Sequence, residues 1–210
     1  MSILESLQEN LINGKAEQVK NDTRKALEEN LTPREILNNG LLKAMEEVGR
    51  RFKNNEFYVP EVLIAARAMK SGMEILKPRL ADTGVEPVAR VAMGTVKGDL
   101  HDIGKNLVCM MLEGGGFEVN DLGVDVTPEK YVDAIKNGAQ IIGMSALLTT
   151  TMLNMKSTIQ AIKDQDLKDS VKIMIGGAPV TDAYAKEIGA DGYASDAATA
   201  VEIAKSLLNK

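Results

Sequence analysis

The chain is poor in the residue types that most often build functional sites. Its 210 residues include no tryptophan, one histidine and one cysteine, and its aromatic side chains are four Tyr and three Phe. The single Cys109 excludes an internal disulfide and fits a reducing cytoplasm. Set within "NLVCMMLEGGG", it reads as a buried thiol. One His and one Cys cannot make a zinc site of the usual His/Cys kind. The formal charge is −5, and no Lys/Arg face is interleaved with aromatics, so nucleic acid is not an expected partner. No apolar run approaches the ~20 residues of a membrane span, so no membrane partner is expected. The opening "MSILESLQENL" lacks the basic region of a signal peptide and reads as an amphipathic helix. A cytoplasmic location is the expectation.

An apolar content of 44% and a charged content of 26% suffice for real cores under an ordinary soluble surface, and the length suits two small domains. Residues 1 to about 80 show helical periodicity only. Ile3, Leu4, Leu7, Leu11 and Ile12 form one stripe, and Val19 and Leu27 part of a second. "LTPREIL" starts a third helix, with Thr32 as N-cap, Pro33 at the first helical position and Glu35 closing a capping box. Its stripe runs Ile36, Leu37, Leu41, Leu42, Met45, Val48, Phe52. A fourth helix follows "NNEFYVP", carries Val62, Leu63, Ala66, Met69 and Met73, and is expected to end near Pro78. Short links between four helices imply a bundle over residues 1–84. "LADTGVEPVAR" reads as a linker.

From Val88 the rhythm changes. Apolar runs "VARVAMGTV", "FEVNDLG", "QIIGMSAL", "VKIMIGG" and "ADGYAS" alternate with amphipathic stretches beginning near Ile103, Thr127, Thr150, Pro179 and Asp196. Five βα units in residues 85–210 predict an α/β domain, a Rossmann-like or flavodoxin-like five-stranded parallel sheet with helices on both faces. Ligands of such sheets bind beyond the carboxyl ends of the strands, and the loop after the first strand, "GDLHDIGKN", holds the one histidine, His101.

A histidine there could serve a phosphate-bearing cofactor, a metal or acid–base chemistry, or be an ordinary turn residue with Asp102 capping the next helix. Spelling removes three options. A P-loop needs four residues between its glycines, then Lys and Ser/Thr; Gly98 and Gly104 enclose five, and Lys105 precedes Asn106. Gly94, Gly98 and Gly104 lack the G-x-G-x-x-G spacing of a dinucleotide fingerprint. A phosphoacceptor receiver needs an acidic residue ending strand three and a Lys ending strand five, where Ser145 and Ser195 stand instead. Asp99-x-His101-x-x-Gly104 remains, on one sheet edge with the hydroxyls of "SALLTTT" (Ser145, Thr149, Thr151) and the glycines of "GGAP" (Gly176, Gly177). Each has a mundane explanation in a helix cap or a tight turn. Together they outline a crevice.

At these residues the sequence resembles a known family. "GDLHDIGKNLV", "SALLTTT" and "GGAP" look like the D-x-H-x-x-G, S-x-L and G-G motifs of cobalamin-binding domains, as in methionine synthase and the corrinoid proteins of methyltransferase systems. "EFYVPEVLIAARAMKSGMEIL" looks like that family's helical cap, so the resemblance covers nearly the whole chain. It implies a corrinoid (methylcobalamin or a related cobamide) bound with its own lower base displaced and His101 as lower axial ligand of cobalt. Asp99 would orient the imidazole, and Thr151, where methionine synthase has Ser, would extend the relay. Gly98, Leu100, Asp102, Ile103 and Gly104 would line the lower corrin face. Ser145, Leu147 and Thr149 would hold the nucleotide tail, with Gly176, Gly177, Tyr193 and Ala197 around its pocket. Phe52, Phe57, Tyr58, Met69 and Met73 are candidates to shield the upper face, in a bundle that must move for methyl transfer.

The resemblance implies a methyl carrier working between a substrate-specific methyltransferase (methanol, methylamine or methoxy-aromatic donor) and a second methyltransferase with a folate- or pterin-type acceptor. A reductive activator is a further partner. Nothing in the chain itself could activate a methyl donor. Two other classes share the His loop. Cobalamin-dependent sensors usually add a DNA-binding segment, and light-sensing ones a cap tryptophan, which is absent here. Small subunits of adenosylcobalamin mutases normally lack the cap. The upper ligand that supports turnover, methyl or adenosyl, separates them.

Overall fold

Alternation of helix-period and strand-period apolar residues resolves into two compact units, Met1–Pro87 with Gly114–Gly116, and Val88–Glu113 with Phe117–Lys210. The structure, a computed structural model, describes residues 2–82 and 86–208. The boundary expected at 84/85 lies outside the described residues.

The first unit is helical. Helix α1 (Ile3–Ile12) begins with a complete capping box, the Ser2 hydroxyl accepting from the Glu5 N–H and the Glu5 carboxylate from the Ser2 N–H. Helix α2 (Ala16–Glu28) follows. The third starts as "LTPREIL" predicts, with Thr32 and Glu35 capping reciprocally above Pro33. After the short turn α3 (Pro33–Glu35) the chain widens into a π-helical segment, Ile36–Leu42, before continuing as α4 (Lys43–Lys53). This widening changes the phase of the stripe. Ile36, Leu41, Met45 and Val48 are buried, but Gly40 and Ala44 join them while Leu37, Leu42 and Phe52 are only half-buried. A Cβ at Gly40 would lie 2.6 Å from Leu7 Cδ2, so the absent side chain is what lets the π segment approach α1.

Helix α5 (Val59–Asp82) corrects one expectation: it runs through Pro78 rather than ending there. A proline inside a helix removes one N–H donor and crowds the preceding turn. Leu76 and Leu80, buried on either side of Pro78, continue the apolar stripe across it. No helix among the described residues is long and apolar enough to cross a membrane.

The second unit is a five-stranded parallel sheet in the order β2-β1-β3-β4-β5, built from β1 (Arg90–Val96), β2 (Glu118–Val126), β3 (Ile141–Ser145), β4 (Lys172–Gly176) and β5 (Gly192–Ala194). This is the flavodoxin-like order. Side-chain alternation along each strand makes two cores. Ala92, Val96, Ile142, Met144, Ile173 and Ile175 face α7 (Pro128–Lys136), α8 (Thr149–Asp164) and α9 (Asp182–Ile188). Val91, Met93, Ile141 and Met174 face α6 (Ile103–Gly114) and α10 (Ala197–Leu208). Two bounds differ from expectation. Strand β2 continues past Gly123 to Val126 through left-handed Gly123 and Asp125, where its register with β1 slips. Helix α9 starts at Asp182, capped by Thr181, because Pro179 falls in the preceding turn.

Cys109 lies within the α6 core, 8% exposed. Burial, and then the charge of Asp121, push its thiol up to about 12, so almost no thiolate forms near neutrality. Iodoacetamide at about pH 8 should leave Cys109 unmodified in the folded protein and label it after denaturation. Labelling of the folded chain at a free-thiol rate would contradict this burial.

Candidate functional site

Strand order reverses between β1 and β3, and the loops leaving these two strands face each other at the carboxyl edge. Thr95 pairs with Ser145 at the last rung, so residues 97–102 and 146–148 emerge side by side. Gly98 takes φ 81°, a turn that glycine adopts without strain, and Asp99 N–H closes back onto the Val96 carbonyl. Asp99 is thereby folded under the loop with 0% exposure.

A buried carboxylate requires hydrogen-bond partners, and Asp99 has four. Oδ1 accepts from His101 Nδ1 at 2.7 Å and from the His101 backbone N–H at 3.1 Å. Oδ2 accepts from Thr151 Oγ1 at 2.6 Å and the Leu147 N–H at 2.8 Å. Burial alone would raise the carboxyl's pKa; the Thr151 hydroxyl, the two N–H groups and the imidazole together hold it well below the usual carboxylate range. The group is therefore an anion that organises three segments: its own loop, the loop after β3, and the first turn of α8.

The imidazole is placed by this anion. With Nδ1 committed to Asp99 as donor, Nε2 is the nitrogen free to act as a lone-pair ligand. His101's side chain is 52% exposed, while its carbonyl accepts from buried Thr95 Oγ1 at 2.8 Å. The loops after β1 and β3 and the start of α6 carry large apolar side chains open to solvent: Leu100 at 71%, Ile103 at 80%, and Leu147 and Leu148 at 44% each. A Cβ at Gly104 would meet nothing within 4 Å, and one at Gly98 only the Thr151 methyl at 3.8 Å. The surface suits a broad, flat, mostly apolar group resting over one nitrogen ligand. Among the described residues no cluster of three His, Cys, Asp or Glu could hold a bare ion.

The remaining candidates are distributed along the same edge. Ser145 ends β3, and Thr149 opens α8 behind an N-cap, Leu148, that makes no side-chain cap. Neither hydroxyl caps α8, so the mundane explanation for them fails. Asp102 accepts from the Asn106 side chain at 3.1 Å instead of capping α6 through a backbone N–H. Gly176 and Gly177 have a reason within the chain: a Cβ would lie 2.9 Å from the Ala194 carbonyl oxygen at the first, and 1.9 Å from that of Ala146 at the second, whose φ is 128°. Tyr193 is half-buried against the α7–α9 core, and Ala197 is buried at the start of α10. In the helical unit Met69 belongs to the bundle core, and Phe52 and Met73 are half-buried. The Phe57 ring lies 5.2 Å beneath the Arg51 guanidinium, and Tyr58 is exposed.

Four contributors escape sequence reasoning: the Leu147 N–H, the Asn154 amide on the Lys97 carbonyl (2.8 Å), Asp125 on the Gly98 N–H (2.7 Å), and the Lys105–Asp121 ion pair. All join residues distant in sequence, except that "GKN" displays a lysine whose burial no local pattern signals.

The chain is similar to known proteins along nearly its whole length. The description "B12 binding domain" matches twice, over residues 89–202 and 3–77. A corrinoid protein of Desulfitobacterium hafniense (strain Y51) is 42% identical over 100% of this chain and 99% of its own. The dimethylamine corrinoid protein of Methanosarcina barkeri is 43% identical over 98% and 97%. Among solved structures, a cobalamin-binding protein from Desulfitobacterium hafniense DCB-2 superposes with a TM-score of 0.81 at 31% identity, covering 97% of each chain. A chain of the methanol:cobalamin methyltransferase complex of Methanosarcina barkeri gives 0.87 at 26% identity, over 99% of this chain and 80% of that one.

Two predictions follow from the Asp99 cluster. Thr151→Val removes a donor to a buried anion and should cost about 1–3 kcal/mol in chemical denaturation, with Thr151→Ser recovering most of it. An unchanged midpoint in the Val variant would mean that the hydroxyl is not engaged. Because the folded carboxyl titrates below its unfolded value, its stabilisation is complete above about pH 4–5 and is lost as pH falls further. The stability advantage of wild type over Asp99→Asn should therefore hold down to about pH 5 and shrink between about pH 5 and pH 3; a constant advantage would contradict the depressed carboxyl.

Proposed function

Since the chain belongs to the B12-binding family of corrinoid proteins, we propose that it carries a methyl group on cobalt, with His101 Nε2 as the lower ligand. The observation that supports this most is the half-exposed imidazole, fixed by a fully buried, four-fold hydrogen-bonded Asp99, on a sheet edge that also carries exposed Leu100, Ile103, Leu147 and Leu148. When bound, the corrinoid supplies a cobalt centre that accepts and gives up a methyl group. The chain's own residues bind and orient it. Asp99 keeps the proton of His101 on Nδ1 and raises the basicity of Nε2. Thr151 and the Leu147 N–H hold the carboxylate in that orientation. Gly98, Asp102 and Gly104 complete the loop beneath the ring. The Ser145 hydroxyl and the first turn of α8 at Thr149 offer donors to a phosphate-bearing tail, with Gly176, Gly177, Tyr193 and Ala197 assigned to that tail's far end.

Donor chemistry falls to a partner methyltransferase, in keeping with the likeness to a chain of the methanol:cobalamin methyltransferase complex. Relatives named for dimethylamine and trimethylamine make methylated amines the first donors to test, ahead of methanol and methoxylated aromatics. A second methyltransferase with a folate- or pterin-type acceptor would complete the cycle, and a reductive activator would rescue oxidised cobalt.

The ligand assignment is open to direct test, because His101 is the only histidine. In the cob(II) form, electron spin resonance should show splitting by one protein nitrogen, and labelling histidine with nitrogen-15 should turn each triplet into a doublet. His101→Ala should abolish the splitting by protein nitrogen. Splitting in His101→Ala that still responds to nitrogen-15 labelling of the whole protein would remove His101 as the ligand.

A further inference from the structure

Among the described residues four non-glycine residues have positive φ: Asn30, Asn55, Asp125 and Asp166. Asn30 follows α2, Asn55 follows α4 and Asp166 follows α8, positions where a left-handed residue is the common way to end a helix. Asp125 ends no helix. It lies in β2 at φ 51°, where the strand slips register against β1. A backbone conformation of this kind persists only where surrounding interactions over-determine it.

Those interactions all lead to the His101 loop. Asp125 Oδ1 accepts the Gly98 N–H at 2.7 Å, and the Asp125 N–H donates to the Asp99 carbonyl at 3.0 Å. One residue thus grips the loop on both sides of the Gly98–Asp99 peptide. Behind it, Gly123 at φ 88° donates its N–H to Asp121 Oδ1 at 2.9 Å. Asp121 is paired with the Lys105 ammonium at 2.5 and 2.6 Å, and Lys105, only 2% exposed, sits in the first turn of α6. The irregular end of β2 is therefore fastened to the loop before His101 and to the helix after it.

We infer that Asp125 is a positioning residue for His101: its left-handed backbone and its carboxylate hold Gly98 and Asp99 so that the imidazole is set on Asp99 before any corrinoid arrives. A ligand already in place loses less freedom on binding. The consequence for cobalt rests on the reading of His101 as its ligand; the positioning itself concerns the protein alone.

The test uses the full chain without corrinoid, labelled with nitrogen-15 in its single histidine. At about pH 8, where a free imidazole is neutral, wild type should show one set of ring signals with the proton on Nδ1. Asp125→Ala should shift these toward the tautomer mixture of free histidine. Affinity for hydroxocobalamin should fall roughly 10- to 100-fold, as when an outer partner of a metal-binding histidine is lost. Asp125→Asn keeps an acceptor and tolerates the left-handed backbone, so it should restore both readouts. Asp125→Gly takes up the φ without strain but has no acceptor; it should resemble the Ala variant, and it replaces that variant if Ala prevents folding. Wild-type ring signals in the folded Gly variant, or an Asn variant that fails to rescue, would overturn the inference. If His101→Ala binds hydroxocobalamin as wild type does while the Asp125 variants still disturb the ring signals, the ligand assignment fails and the positioning stands.

Discussion

The loops after β1 and β3 and the first turn of α8 depend on one buried anion. Asp99 has no solvent exposure and four donors around two oxygens. Leaving such a charge without partners would cost several kcal/mol, so the loop after β1, the loop after β3 and the first turn of α8 are fastened to it together. The fold provides the adjacency: the β1–β3 register that brings Thr95 beside Ser145 also brings Leu147 and Thr151 within reach of Asp99. The imidazole then inherits its orientation from the carboxylate.

The same arrangement separates two tasks that one loop must perform. Orientation needs burial and polar contacts, and these lie beneath the loop at Asp99, Thr151 and Thr95. Binding a large apolar group needs accessible apolar surface, and Leu100, Ile103, Leu147 and Leu148, on and beside the same two loops, are exposed. Three leucines and one isoleucine left exposed on and beside the loops that hold one half-exposed histidine are a binding surface more readily than a packing accident.

Much of this was legible in the sequence, for physical reasons. The parallel sheet announces itself through short apolar runs buried on both faces, and the His101 loop through glycines and acidic residues right after the first of them. The Thr32–Glu35 capping box is a local signal and appears as spelled. Other features depend on contacts between distant residues, which periodicity does not carry. Pro78 reads as a stop, yet α5 continues because Leu76 and Leu80 keep its stripe buried. The π segment changes the third helix's phase because Gly40 admits Leu7. Gly177 looks like room for a ligand, but its missing Cβ is already required by the Ala146 carbonyl. Lys105 and Asp121, sixteen positions apart, give no joint signal along the chain.

The central claim is that Asp99 holds the proton on Nδ1 so that Nε2 of His101 becomes the lower ligand of a corrinoid cobalt. A crystal structure of the corrinoid-loaded protein tests it most directly. The account predicts Nε2 at bonding distance from cobalt (about 2 Å for a nitrogen ligand of such a metal), the Nδ1–Asp99 hydrogen bond retained, and the cofactor's own lower base displaced along the sheet edge toward Ser145 and Thr149. A corrinoid seated with its own base still on cobalt, and His101 turned away from the metal, would contradict it.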